Sequence, residues 1–569
     1  MTSGLKVENL DHLGLIAGVI DELGLVELLD ELFPPHRDNL ITTGQVVKAM
    51  ILNCLGFLSA PLYLFSQFFE SKPVAHLLGE GIKASHLNDD RIARVLDQLW
   101  AFGLSSLFVR LAMAAVLKFD VNVSQTHLDS SSFSVHGQYL SAPRESDTPV
   151  TEPCDEVVSS SIAPRKTTDK TQVSGNESDP VSIEVRRGYS RDHRPDLMQF
   201  VSNLCCARDG GVPLFLEIAS GNQSDRQEFG RLMQDFHQHW EIETLFVVDA
   251  AFYSEPNLNR VESLRWISRV PLTINQAQAL IHQDTAQLQA VKCTLKDYKL
   301  WEIHSTYGGV EQRWILVESQ TRKAQASVWD KDLKRIETDL KRRAKQLQKK
   351  VFACRPDALE ALLQFQESLE HHQVCEVTVE TILVKRAPGE LKQRKRAEAI
   401  EGYQLCFSWQ RQPEAEQKLR EARSRFILAT NQLDAELYSA QLILTEYKQQ
   451  QKVERGFRFL KDPLFFTSSV FVKKTQRVAA LAFLMAVTLL IYALAERKIR
   501  QTLEREGETV FDQLNQPTVK PTLRWIMQKF QGIHFVVLNG IEQITNLTDE
   551  RCRIIRLLGP TACRYYLIS

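Results

Sequence analysis

Residues 447–461 read Tyr447-Lys-Gln-Gln450-Gln-Lys452-Val453-Glu454-Arg455-Gly-Phe457-Arg458-Phe-Leu460-Lys461. Wound as a helix, this stretch puts Tyr447, Gln450, Glu454, Arg458 and Lys461 on one face, at steps of three or four. Val453, Phe457 and Leu460 make an apolar stripe about 100° round the axis, so that side is suited to burial. Glu454 and Lys461 stand two turns apart, about 10 Å along the axis. Pro463 then ends the helix, because its ring removes a donor and displaces Asp462 from helical geometry. One carboxylate thus sits among cations at the edge of a buried helix. That pattern fits a solvated amphipathic face as well as a site, and the rest of the chain has to decide.

At 569 residues the chain exceeds what one core accommodates, so two to four domains are expected. Its 44% hydrophobic and 24% charged residues are those of a globular protein. The net charge of −1 gives no global attraction to nucleic acid, so any basic surface is local. The ten cysteines contain no C-x-x-C pair, which points to reduced core thiols rather than a zinc site. The N-terminal residues MTSGLKVENLDHLG lack the basic and apolar regions of a signal peptide. Val478–Ala495 runs for eighteen residues without a charge, after Lys473, Lys474 and Arg477. That is the lower limit for a membrane span. A fully buried core helix is the expected reading, with no membrane partner.

Working outward, residues 1–118 read as an all-helical module for DNA binding or dimerisation. Val7–Leu32 has helical spacing, Thr42 or Thr43 caps Gly44–Phe57, and Asn88-Asp89-Asp90 caps a helix with Ile92, Val95, Leu96 and Leu99 inward. Arg91 and Arg94 are expected on its outer side. From 119 the period becomes two, and Thr126-His127-Leu128-Asp129 reads as a strand ending on an acid before three serines. Residues 141–182 are rich in Ser, Thr, Pro, Asp and Glu and are expected to be a long exposed loop. Gln199–Ala207 and Val212–Ala219 form a hairpin about Asp209-Gly210-Gly211. A helix over Asp225–His239 follows, and then a buried strand, Leu245–Asp249, that ends on a second acid. The domains read as 1–118, a first core part 119–271, an insertion 272–428, a second core part 429–500 and a tail 501–569. The insertion has strand-like Trp301–Glu318 and Cys375–Val384 and a charged helix Lys323–Lys350, and Phe426–Ala429 returns as a strand.

Two strand-end aspartates and a helix-borne glutamate are the ligand types that Mg²⁺-dependent phosphodiester chemistry needs. Hard oxygen donors must converge on ions about 4 Å apart, whose mutual repulsion demands several negative charges. Cationic neighbours such as Arg458 and Lys461 suit phosphate oxygens. His127, two residues before Asp129, shares its face, and core burial is the expected reading for it. From Glu446 to Arg477 eight bases face three acids, a local excess suited to a DNA backbone. A second basic cluster comprises Arg186, Arg187, Arg191, His193 and Arg194.

These residues resemble the DDE transposases of bacterial insertion sequences. Tyr447, Glu454 and Lys461 match the Y-(2)-R-(3)-E-(6)-K signature of that family in identity and spacing. VERGFRFLKDP and the upstream GYSRDHRPDL are similar to it as well, and the resemblance covers roughly 119–495. It implies an α/β fold with a ribonuclease-H-like mixed sheet and flanking helices, interrupted by an insertion domain. It implies Asp129, Asp249 and Glu454 as catalytic and metal-holding acids, with Mg²⁺ as cofactor and Mn²⁺ able to substitute. Tyr447, Gln450, Arg458 and Lys461 are the implied DNA-contacting residues. Implied partners are double-stranded DNA (terminal inverted repeats and target) and a second copy of the chain, and the implied location is the cytoplasm and nucleoid of a bacterium. The sequence departs at Gln450, where the family has Arg; Gln offers only neutral hydrogen bonds. A non-catalytic DNA-binding descendant of a transposase is therefore the alternative expectation.

Overall fold

The structure is a computed structural model that describes residues 5–36, 39–57, 65–135, 183–188, 194, 196–223, 225–385, 399–450, 461 and 474–568. Two compact units emerge, one from Met1–Ile267 with Glu446–Ser569 and the other from Ser268–Thr445.

The first unit opens with a strand, β1 (Leu5–Asn9), where helical spacing is expected. The hydrogen-bonding partner is remote: β1 pairs antiparallel with His534–Leu538, which in turn pairs with Ile541–Thr545. Helix α1 (Leu13–Leu23) ends at Gly24, whose φ of 69° no β-carbon opposes, and α2 (Leu25–Leu32) starts there in a new direction. Thr42 caps α3 (Thr43–Cys54) in a reciprocal box with Gln45, satisfying two orphan amides at once. After α4 (Phe65–Glu70) and α5 (Val74–Leu78), Asn88 caps α6 (Asp89–Phe102). Ile92, Val95, Leu96 and Leu99 point inward as expected. Arg91 is buried too, donating to the Ile41 carbonyl, which corrects its expected outer placement. Helix α7 (Leu104–Phe119) completes the module.

The stretch expected as a C-terminal tail folds onto this module. Ala562 and Tyr566 pack on α1 so closely that a β-carbon on Gly18 would lie 2.6 Å from the Ala562 Cα. The Tyr566 hydroxyl donates to the Asp11 carbonyl at 2.6 Å. Lys48, nearly buried, bonds Asp21 at 2.6 Å and the Tyr565 hydroxyl at 2.7 Å. Through the centre runs the 32-residue helix Thr475–Glu506, packed against α1, α3, α6 and α7. It is long and apolar enough to cross a membrane, and 83% of its most apolar window is buried in the protein.

Beyond α7 come β2 (Gln125–Val135), β3 (Met198–Ala207), β4 (Pro213–Ser220), helix α8 (Asp225–Trp240), β5 (Leu245–Val248) and β6 (Arg265–Arg269). They lie in the order β4-β3-β2-β5-β6. Counted from β2 this is 3-2-1-4-5, with β2 antiparallel to β3 and parallel to β5, the ribonuclease-H-like arrangement. Strand β2 does not stop at Asp129 but continues six residues further, pairing residue by residue with β3. Gly210 and Gly211, both at positive φ, turn the β3–β4 hairpin. The expected loop 141–182 lies outside the described residues.

The second unit carries the hairpin Tyr298–Tyr307/Val310–Ser319, on which Arg425–Thr430 pairs antiparallel. The charged segment forms two helices, Gln320–Ala324 and Ala326–Lys349. A separate sheet pairs His372–Lys385 with Ala399–Arg411, over a core containing Leu340, Leu362, Phe365, Leu405 and Phe407. Arg313 is fully buried, paired with Glu302 and bonded to the carbonyls of Gln432, Asp434 and Tyr438.

Candidate active site

The parallel register of β2 and β5 pairs Leu128 with Val248. Asp129 and Asp249 are the next residues on the two chains, and Asp249 keeps an extended backbone (φ −74°, ψ 178°) as it leaves β5. Neighbouring strands lie about 4.8 Å apart, and residues at one level of a parallel pair point to the same face. Two carboxylates are thus rooted next to each other on rigid elements. Asp129 is 8% exposed and its Oδ1 accepts from the Ser130 amide at 2.8 Å. Asp249 is half-buried and its Oδ1 accepts from the Ala251 amide at 2.7 Å, starting a short 3-10 turn. These local bonds fix each carboxylate's direction without adding charge.

His127 is buried on the same face as Asp129, and Cys206 stands opposite it on β3. Burial first, and then the Asp129 carboxylate, pushes the Cys206 thiol well up. A thiol so disposed stays protonated and is no ligand for a hard cation. Among the described residues, no three His, Cys, Asp or Glu side chains gather into a metal-holding group. The donor set at Asp129 and Asp249 therefore suits a hard divalent ion in chemistry but is incomplete by itself.

The signature stretch is described at both ends. Helix Ala440–Lys448 carries a half-buried Tyr447 in its last turn, and the chain then turns, with the Gln450 amide bonding the Tyr447 carbonyl at 3.2 Å. The regular helix ends at Lys448, and residues 451–460, over which a helix is expected, lie outside the described residues. Gln450 is 8% exposed. Glu454 and Arg458 lie outside the described residues. Lys461 reappears with its Nζ 5.4 Å from the centre of the Phe133 ring on β2.

Sequence reasoning missed three residues here. Glu446 is fully buried and paired at 3.1 Å with Arg208, which also bonds Gln125 at the start of β2. Phe133 holds Lys461. The only signal for Glu446 was its place three residues after buried Ile443; nothing marked Arg208 or Phe133. Of the expected basic surface, Arg477 is tied bidentately to Asp97 and Arg194 to Asp196, and Arg186 pairs with Glu184 at 2.7 Å. Arg191 and His193 lie outside the described residues.

The family profile described as "Transposase DDE domain" matches residues 128–491, well over half of the chain. The chain belongs to the DDE transposase family. Residues 5–113 of this transposase match a second profile, described as a domain of unknown function (DUF4277). Among solved structures, the transposase is similar to the cryo-EM structure of a piggyBac transposase synaptic complex with hairpin DNA. The identity is 8% and the TM-score 0.34, over 91% of this chain and 78% of that one. No curated protein matches it. Members of this family cleave DNA and transfer strands, generally with divalent ions.

Proposed function

We propose that this transposase binds the terminal inverted repeats of its own element, cleaves at the element's ends and joins the 3′-hydroxyls to target DNA. The observation that carries the reading is the parallel register of β2 on β5, in which Leu128 pairs with Val248 and Asp129 and Asp249 are the residues that follow. Glu454 is proposed as the third acid. Its support is that the chain is anchored at the Gln125 end of β2 by Glu446 and at the Phe133 end by Lys461, with Asp129 between them. Glu454 falls about midway in sequence between those anchors. Asp129, Asp249 and Glu454 would hold Mg²⁺, with Mn²⁺ able to replace it. The bound ions supply a lowered water pKa and neutralise charge on the phosphate. The aspartates fix where the phosphate sits; Lys461, with Arg458, Gln450 and Tyr447, contacts the DNA backbone.

Hydrolysis attaches the water oxygen to phosphorus and releases the 3′-oxygen as a hydroxyl, which then displaces a 3′-oxygen in target DNA. Two ends have to be handled together, so a homodimer on DNA is proposed, in a bacterial cytoplasm at the nucleoid. The domain scheme of 1–118, 119–271, 272–428, 429–500 and 501–569 is supported in part by the compact unit Ser268–Thr445, which fits an insertion. The test is Mg²⁺-dependent end cleavage and strand transfer by the wild type and by the variant with all three acids changed to Ala. Cleavage by that variant refutes the assignment. A second reading, a DNA-binding descendant without catalysis, is favoured only by Gln450; DNA binding without metal-dependent cleavage by the wild type would establish it.

A further inference from the structure

The ring under Lys461 belongs to β2 itself. The β2–β3 register is unbroken from Thr126–Ala207 to Val135–Met198, so Asp129, Ser131 and Phe133 share one face of the strand. Four residues at strand rise separate Asp129 from Phe133 by about 13 Å. Phe133 faces Phe200 across the two strands, with ring centres 5.4 Å apart and planes inclined by only 12°. Both rings are buried, 8% and 2% exposed, so neither is free to turn. The Lys461 ammonium lies within the distance at which a ring quadrupole attracts a cation.

We propose that the stacked Phe133–Phe200 pair is a positioning platform for Lys461. It holds the ammonium on the Asp129 face of β2, where it contacts the DNA backbone. Phe133 is thereby a positioning residue that acts through Lys461. The inference rests on the DNA-contacting role proposed for Lys461.

The test replaces Phe133 by phenylalanines of increasing fluorination in the full chain, which drains the ring face of electron density at nearly constant shape. Affinity for a short duplex of mixed sequence is measured without metal, over a range of salt. Each step of fluorination is expected to weaken binding, to a total of about two- to fivefold, the span of an exposed cation–π contact. Thermal midpoints stay constant. In the Lys461→Met background the salt slope falls by about one and fluorination has no further effect. Phe133→Tyr, which keeps the ring face, binds as the wild type does. If Lys461→Met weakens binding but fluorination does not, the platform is refuted while the DNA contact stands. If fluorination lowers the thermal midpoint and weakens binding equally in both backgrounds, the ring is a packing residue and the inference falls. If Lys461→Met leaves binding unchanged, the proposed DNA contact is wrong and the platform with it.

Discussion

Asp129 and Asp249 occupy equivalent places on adjacent strands in unequal surroundings, one buried and one half-exposed. A buried carboxylate requires compensation by hydrogen bonds or cations. Asp129→Asn and Asp249→Asn are each expected to lower metal-dependent cleavage by more than about 10²-fold, the upper end for changes behind a metal's ligands. Thermal midpoints should hold within a few degrees, and cleavage rates with melting curves check both statements. His12 allows a prediction about pH. It is buried, with a ring nitrogen 2.7 Å from the Leu55 carbonyl, and burial lowers its pKa from 6.5 to about 4. Between those values the unfolded chain binds a proton that the folded chain refuses. Stability therefore falls as pH is lowered from 6.5 towards 4, by a total of about 3 kcal/mol. Urea midpoints at pH 7.5 and 5 check this, and His12→Gln should flatten the difference. The sequence offered no reason to single out His12, because its burial depends on partners over forty residues away.

Strand β2 shows how an element's length escapes local reading. Ser130-Ser131-Ser132 look like a turn, since serine competes with regular backbone bonding. All three are buried, because β3 supplies a matching ladder that outweighs the local preference. The hairpin β3–β4 and strand β5 were legible, their signals being local glycines and a short apolar run. Helix Thr475–Glu506 was legible as apolar, while its surroundings were not. With its window mostly buried, alkaline extraction is expected to leave the protein in the supernatant; retention with the membranes would contradict a core role. Leu490, fully buried on that helix, should cost about 2–5 kcal/mol on replacement by Ala. At Gly18 the backbones of α1 and the helix Pro560–Tyr565 approach too closely for any side chain. Gly18→Ala is expected to destabilise by about 1–3 kcal/mol through overpacking, read as a lower denaturation midpoint.

At the scale of the whole molecule, the N-terminal module is completed by the far end of the chain. Strand β1 pairs with His534–Leu538, Tyr566 covers Gly14, and Lys498 bonds Glu22 at 2.5 Å. A fragment of residues 1–118 lacks these partners and exposes the apolar face of α1. It is expected to show no cooperative thermal transition, whereas the full chain does; calorimetry on both decides. A cooperative melt of the fragment would show that the C-terminal residues are dispensable for that fold.

The sequence by itself determined the order of elements from β2 to β5, the acids Asp129 and Asp249 on and after them, and the spaced Tyr, Glu and Lys of the signature. Periodicity and motif spacing are local properties, and they survive without knowledge of the fold. Only the tertiary structure decided which residues meet. It set Leu128 level with Val248, laid Lys461 on Phe133, buried Arg91 and brought the two chain ends together. Each is a pairing between segments far apart in the chain. Such pairings are chosen by register and by buried area summed over many residues, which no single stretch encodes.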